Sequence, residues 1–271
     1  MKKFIKGLAV IAAASLMAVM ATACGGDTQK PGNSDSSNAS NTANYNLVTG
    51  GKLIMGTNAE FPPFEYKEGG SVVGVDAGVM ELVAKKLGLT LEIKDMTFDS
   101  LPEALAGKNI DVIAAGFTIK PEREEKMDFT DTYYTAKQTV ILKSDSPYNS
   151  IEEMKDKNLK IGVQTGTTGM NDAAPVVTGE DNIVGYNNGS LAVEALLSGK
   201  VDAVIIDNNP AKEYKDQHGD DVKLLEDQFE EEEYAIAVRK GNKELQDAIN
   251  KALKEIKEDG SFQKVVEQYV K

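Results

Sequence analysis

Residues 103–113 read EALAGKNIDVI, and residues 194–204 read EALLSGKVDAV. Each stretch has a helical pattern that ends at Gly-Lys, a helix-stop signal, and an apolar strand pattern containing one Asp follows. Chance reuse of this helix-stop chemistry is the alternative explanation. Two copies of one helix–strand unit predict a fold of two similar α/β lobes.

Around this repeat, short apolar runs alternate with amphipathic helical segments from residue 52 to the end of the chain. Ser150 and Glu153 have the spacing of a capping box, and Gly88 ends an apolar helical face. Such alternation is typical of α/β folds with mostly parallel sheets. The predicted strands are residues 52–56, 91–96, 110–114, 138–142, 160–163, 183–186, 202–206, 222–225 and 234–238.

The composition limits the possible classes of function. The 271 residues allow one large or two ordinary domains, and a hydrophobic content of 41% suffices for a core. The net charge is −13 and becomes −16 without the three lysines of the leader, so nucleic-acid binding is not expected. Cys24 is the only cysteine, and His218, in a polar segment predicted to be an exposed loop, is the only histidine. Disulfides, Cys/His zinc sites and Cys–His nucleophiles are therefore excluded from the folded part, and no metal or cofactor is predicted.

The N-terminal segment has the features of an export signal. Residues 1–23 have a Lys-rich start and then an uncharged apolar run. Small residues precede Cys24 and glycines follow it, which resembles a bacterial lipoprotein cleavage box, although Ala21 stands where such boxes usually have Leu. The resemblance implies that Cys24 becomes a lipidated, palmitate-bearing N-terminus at the cell membrane; an ordinary signal peptide is the alternative. Residues 24–50 are polar and rich in Ser, Asn and Gly, which predicts a flexible tether.

The segment GFTIKPER, residues 116–123, directly follows the first copy of the repeat. Its proline suits the first position of a helix, so we expect main-chain N–H groups, the Thr118 hydroxyl and the Arg123 guanidinium to surround one point. Such a group of donors suits a small carboxylate. The alternative is a solvated helix start with Arg123 paired to Glu124 or Asp128.

Other candidate site residues also follow predicted strands. The carboxyl ends of strands in an α/β lobe point at a crevice where ligands bind. Asp207 ends the second repeat, and an acid there, opposite Arg123, suits a zwitterion held between the lobes. Structural explanations stay open, since phenylalanines suit a core, threonines suit helix caps, and Asp207 suits the cap of the next helix. The remaining candidates are Asn58, Phe61, Phe98, Gly116, Phe117, Gln164, Thr167 and Thr168.

Several spaced motifs occur in one order along the chain. They are GT at 56–57 with FPPF at 61–64, G-x-D at 74–76, G-x-T at 116–118 with Arg123, DFT at 128–130, GTT at 166–168, and DA at 202–203 with Asp207. With them, the chain from about residue 50 to 271 resembles the bacterial extracellular solute-binding proteins of family 3, the amino-acid receptors of ABC importers. One departure lies at residues 74–78, GVDAG, which lack an aromatic residue and a second acid.

This resemblance implies a two-lobe periplasmic-binding-protein fold of type II with two crossover hinge strands. The implied boundaries are residues 51–132 and 235–271 for lobe 1, 138–229 for lobe 2, and 133–137 and 230–234 for the hinges.

The resemblance also implies roles for the site residues. Arg123 would grip the ligand α-carboxylate, helped by Thr118 and the Thr168 N–H group. Asp207 would take the α-ammonium group together with the Gly116 carbonyl. The side chain of the ligand would lie between Phe61 and Phe98 and contact Gln164, and Asn58, Phe117 and Thr167 would complete the site.

The implied function is that of a monomeric substrate-binding lipoprotein that delivers a free amino acid to the membrane permease of an ABC importer. Phe61 and Phe98 can stack on a cation. Glu60, Glu65 and Asp99 can add negative potential or can be exposed loop acids. We therefore predict a polar or basic ligand, with arginine, lysine or histidine ahead of glutamine or cystine. The alternatives are a dehydratase-like enzyme on the same fold, which the lack of a site histidine disfavours, and a ligand-sensing domain.

Overall fold

The computed structural model describes residues 45–270. The predicted signal segment, Cys24 and the tether as far as residue 44 lie outside these residues. Within them, the strands are β1 (Lys52–Thr57), β2 (Glu60–Phe61), β3 (Glu65–Glu68), β4 (Ser71–Val73), β5 (Thr90–Asp95), β6 (Val112–Ile113), β7 (Met127–Phe129), β8 (Tyr134–Lys143), β9 (Ile161–Gln164), β10 (Ile183–Tyr186), β11 (Ala203–Asp207), β12 (Val222–Tyr234) and β13 (Ala237–Arg239).

The helices of the described residues lie mostly where the apolar periodicity predicts them. The Ser150 hydroxyl accepts a hydrogen bond from the Glu153 N–H group, which confirms the predicted cap. His218 is half-buried at the end of a helix and not in an exposed loop, so that prediction is wrong. The α-helices are α1 (Val75–Leu87), α2 (Leu101–Ala106), α3 (Pro121–Glu124), α4 (Ile151–Met154), α5 (Ala174–Val177), α6 (Gly189–Leu197), α7 (Asn208–His218), α8 (Lys243–Glu258) and α9 (Ser261–Tyr269).

Each lobe of the α/β fold contains a five-stranded sheet. The first sheet has the order β5-β1-β6-β13-β7, and the second has the order β10-β9-β11-β8-β12. β1 is parallel to both neighbours, whereas β13 is antiparallel to both of its own. The second sheet has the same mixture, because β9 has parallel neighbours and β8 has antiparallel ones. Four of the five strands in each sheet therefore run in one direction, as predicted, and the exception, β13 or β8, is the strand that enters its sheet from the other lobe.

Two paired strands connect the lobes. Tyr134 pairs with Tyr234, and Lys137 pairs with Glu231, so that the start of β8 runs beside the end of β12. β12 is one strand with two register shifts, whereas the sequence predicts separate strands at 222–225 and 234–238. The residues between them are mostly acidic and show no apolar alternation, so only the pairing with β8 reveals the strand.

The repeated sequence unit forms the same structure in both lobes. Each copy is a helix, α2 or α6, followed by a strand, β6 or β11, in a different sheet. The carboxylate of Asp111 accepts the Ile54 N–H group at 2.9 Å, and that of Asp202 accepts the Lys160 N–H group at 2.8 Å. In both lobes this Asp therefore ties its strand to the neighbouring one.

Apolar helical faces complete the core. Leu245, Ile249, Leu253 and Ile256 of α8 are fully buried, or nearly so, and α8 packs against α1 and α9. Within residues 45–270, no helix combines the length and the apolar character that crossing a membrane requires.

Candidate functional site

A narrow cavity, with room for about one water molecule, lies where strands of both sheets end. Its wall takes residues from both lobes, which the crossover strands bring together. The lining residues are Asn58, Phe61, Glu65, Phe98, Ala115, Gly116, Thr118, Arg123, Gln164, Thr167, Thr168 and Asp207.

Arg123, in the short helix α3, directs its guanidinium group into this cavity. The group lies over the Phe117 ring, 4.1 Å from its centroid, and donates to the main-chain oxygens of Thr118 at 2.8 Å and Gly166 at 3.1 Å. Asp128 instead pairs with Lys240 at 2.8 Å. Among the described residues Arg123 forms no ion pair with Glu124 or Asp128, so the alternative of a solvated pair is wrong, and a fixed cation faces the cavity.

Gly116 allows the chain to turn into the cavity wall beside Arg123. Its φ of +53° lies in the left-handed region, and a Cβ atom there would be 2.9 Å from the Phe61 ring and 3.3 Å from the Tyr234 ring. A larger residue would therefore be strained in both conformation and space. The Gly116 N–H group donates to Asp76 at 2.8 Å, which fixes the peptide.

Asp207 ends β11 of the second sheet and also lines the cavity. Its side chain makes no capping hydrogen bond to α7, and it accepts the hydroxyl of Tyr234 at 2.6 Å. The cap alternative is therefore wrong. Burial and the nearby Glu232 carboxylate raise the pKa of Asp207 to about 7, although the hydrogen bond from Tyr234 acts in the opposite direction. Near neutral pH this acid is poised between its charged and neutral forms.

The second lobe contributes the turn that follows β9. The Gln164 carboxamide donates to Asn58 of the first lobe at 2.8 Å, and the Thr167 hydroxyl donates to the Gln164 main-chain oxygen at 2.8 Å. Thr168 is buried, and its hydroxyl accepts from Gln138 at 3.2 Å. Polar groups of both lobes thus meet at the cavity.

Two acids at the site are not among the predicted ligand-binding residues. Glu65, which the sequence groups with Glu60 and Asp99 as acids that add negative potential or lie exposed in loops, is 1% exposed and lines the cavity, whereas Glu60 and Asp99 are exposed. Burial, followed by the neighbouring Asp76 carboxylate, raises the pKa of Glu65 well above its usual value. Burial also raises the pKa of Asp76 to about 6. The residues of β3, Glu-Tyr-Lys-Glu, show no alternation that would place Glu65 inward.

The second missed acid is Glu232, on the crossover strand β12. One of its carboxylate oxygens accepts the hydroxyls of both Thr118, at 2.8 Å, and Thr168, at 2.7 Å. Glu232 lies in a run of four acids with no apolar period, so no local pattern distinguishes it from its neighbours.

The structure brings together all but one of the predicted ligand-binding residues. Phe117 is the exception, because it is 1% exposed and lies beneath the Arg123 guanidinium, not on the cavity wall. Its place is that of a support for Arg123.

A family model matches residues 53–271, nearly all of the part of the chain that the structure describes. The family is that of the bacterial extracellular solute-binding proteins, family 3. The chain belongs to this family. It is therefore an extracellular solute-binding protein, and its relatives are named as binding proteins, not as enzymes.

Named relatives of this solute-binding protein differ in their ligands. It is 37% identical to the arginine-binding extracellular protein ArtP of Bacillus subtilis, over 80% of this chain and 86% of that protein. It is 34% identical to a probable histidine-binding protein of Neisseria gonorrhoeae, over 96% of this chain and 94% of that protein. A solved structure of an ancestral arginine-binding protein bound to arginine has a TM-score of 0.75 and 41% identity, covering 81% of this chain and 98% of that one.

Proposed function

We propose that this protein binds a free polar or basic L-amino acid, with arginine, lysine or histidine ahead of glutamine or cystine, and presents it to the permease of an ABC importer. The observation that carries the proposal is a cavity that both Arg123 and Asp207 line, with more acids than cations among its lining residues.

Arg123 is the proposed partner of the ligand α-carboxylate. Its planar guanidinium can bind both carboxylate oxygens at once, which a lysine ammonium cannot do. Stacking on Phe117 fixes the plane of the guanidinium before a ligand arrives. The main-chain N–H groups of Thr118 and Thr168 are the proposed additional donors.

Asp207 is the proposed partner of the α-ammonium group, with the Gly116 carbonyl as second acceptor. An ammonium ion taken from water needs such compensation, because burying an unpaired ion costs several kcal/mol. Asp207 is itself only 7% exposed, so a bound cation would relieve the cost of its own burial.

The charge balance around the cavity supports a basic side chain. Arg123 is the single cation among the lining residues, against the acids Glu65 and Asp207, and Glu232 adds a further carboxylate beside it. Burial raises the pKa of Glu65, so a cationic side chain bound beside it would favour its ionised form. Phe61 and Phe98 add faces on which a guanidinium or ammonium group can stack, at about 0.5–2 kcal/mol each. Asn58 and Gln164 suit hydrogen bonds to a polar side chain.

The proposed lobe boundaries and hinges are those that the family resemblance implies. Residues 133–137 and 230–234 are the proposed hinges, and the lobes close on the ligand around them. Closure brings the ligand-binding groups of the second lobe into contact with the ligand. Binding therefore shifts an equilibrium between open and closed forms.

A ligand panel tests this proposal. Thermal unfolding is measured with arginine, lysine, histidine, glutamine, cystine, glutamate and leucine, after refolding from denaturant to remove carried ligand. Native-state binding raises the melting temperature, and at about 100 times the Kd it adds about 2.7 kcal/mol to the free energy of unfolding. We expect the largest shift with a basic amino acid. Citrulline, a neutral isostere of arginine, is the matched control and should give a smaller shift.

Two other results would contradict the proposal. A preference for glutamate or leucine would refute the basic-ligand assignment while leaving Arg123 and Asp207 as amino-acid partners. No shift with any amino acid would refute the amino-acid assignment itself.

We also propose that Cys24 is lipidated and holds the protein at the outer face of the cell membrane. Replacing Cys24 with Ser is expected to abolish incorporation of labelled palmitate and to release the protein into the soluble fraction. Thr22→Ser, a change within the same segment that keeps Cys24, is the control. Unchanged labelling of the Cys24→Ser protein would refute the assignment.

A further inference from the structure

The Glu232 carboxylate bonds to both lobes beside the cavity. One oxygen accepts the Thr118 hydroxyl at 2.8 Å and the Thr168 hydroxyl at 2.7 Å. Thr118 follows β6 of the first sheet, and Thr168 follows β9 of the second. Glu232 itself belongs to neither loop, since it pairs with Ala136 in the crossover strands.

These two hydrogen bonds use the only proton of each threonine hydroxyl. A threonine hydroxyl has a single proton to donate, and here each is donated to Glu232. The Thr168 oxygen also accepts from Gln138 at 3.2 Å, so its position is fixed from two sides. A carboxylate that binds beside Arg123 is therefore left with the guanidinium and main-chain N–H groups as donors.

The location of Glu232 makes these bonds depend on closure. The crossover strand holds its main chain by pairing, whereas Thr118 and Thr168 lie in loops of different lobes. Separating the lobes would move at least one threonine away from the carboxylate. Hydrogen bonds to an ionised acceptor are stronger than those between neutral groups.

We infer that Glu232 is an interlobe latch and a positioning residue of the ligand site. When the cleft closes, its carboxylate accepts hydrogen bonds from Thr118 of one lobe and Thr168 of the other, and these bonds hold the lobes closed around the bound amino acid. This inference rests on the proposed amino-acid-binding function. The competing possibility is that Glu232 occupies the place of the ligand carboxylate and weakens binding, which predicts the opposite sign in the same experiment.

The test compares the wild-type protein with Glu232→Gln and Glu232→Ala, using arginine as the probe. Stopped-flow kinetics give the association and dissociation rates, and thermal unfolding without arginine shows that each variant is folded. A latch acts after encounter, so we expect dissociation about tenfold faster in Glu232→Gln and faster still in Glu232→Ala, with little change in association. Glu233→Gln removes the same charge from an exposed neighbouring position and should match the wild type.

A double-mutant cycle tests whether Glu232 acts through the threonines. The double variant Thr168→Val/Glu232→Gln should lose less arginine-binding free energy than the sum of the losses in the two single variants, because both changes remove the same hydrogen bond. Tighter arginine binding in Glu232→Gln would show a competitor and overturn the latch, and unchanged dissociation would also overturn it. If the wild-type protein binds no amino acid, the proposed function fails instead, so the two failures are distinguishable.

Discussion

Replacing Arg123 with Ala is expected to weaken amino-acid binding by roughly two to four orders of magnitude. The change leaves the ligand carboxylate without its cation in a site that is largely shielded from water, and an uncompensated charge there costs about 3–5 kcal/mol. Arg123→Lys keeps the charge but loses the planar pair of donors and the stacking on Phe117 at 4.1 Å, so its loss should be smaller yet at least about tenfold. Isothermal titration calorimetry with the best ligand of the panel measures both.

The fold is not expected to depend on Arg123. Its two described hydrogen bonds go to main-chain oxygens at the edge of the cavity, so unfolding should occur within a few degrees of the wild-type temperature. Lys126→Ala, which removes one positive charge from an exposed position nearby, is the control and should bind normally. Tight binding in Arg123→Ala would show that the carboxylate binds elsewhere.

Replacing Asp207 with Asn is expected to abolish detectable binding and, at pH 8, to stabilise the ligand-free protein. The neutral amide cannot compensate an ammonium group. It also removes the cost of burying a carboxylate whose pKa is raised to about 7, first by burial and then by Glu232. The gain is of the order of 1–4 kcal/mol, since one pKa unit corresponds to about 1.4 kcal/mol. Tyr234 can still donate to the retained oxygen, and Gln138 lies beside the new amide group.

The same pKa gives two opposite pH trends in the wild-type protein. Because Asp207 holds its proton more tightly when folded, its contribution lowers the free energy of unfolding as the pH rises from about 4 to 7. Ligand binding needs the ionised form, so affinity should fall by up to about tenfold per unit as the pH drops below 7.

Chemical denaturation and calorimetry across pH 5–9 measure the two trends. In Asp207→Asn, the contribution of this acid to the pH dependence of the free energy of unfolding should vanish, while the contributions of Asp76 and Glu65 remain. Asp216→Asn, an exposed acid on α7, is the matched control and should leave affinity and slope unchanged. Retained tight binding in Asp207→Asn would refute the ammonium assignment.

The fold shows how far local patterns predict structure. Helices with an apolar period and strands such as β10 follow from the residues that form them, and the two copies of the repeat predict the two lobes. β12 was predicted only in part, because its acidic half is a strand through pairing with β8 and not through its own side chains. The one antiparallel strand of each five-stranded sheet, β13 or β8, does not follow from local patterns either, since its direction depends on the path of the chain between the lobes.

The sequence by itself determined the α/β class, the family and the positions of Arg123 and Asp207, because strand ends, glycine turns and charged residues at those ends are local features. Only the tertiary structure decided that Phe117 supports Arg123, that Glu65 is buried, and that Glu232 bonds both lobes. Burial and hydrogen-bond partners depend on residues distant in sequence: Glu232 is 114 positions from Thr118 and 64 from Thr168. No local sequence pattern predicts which acid of an acidic run will accept hydrogen bonds from two hydroxyls in the folded chain.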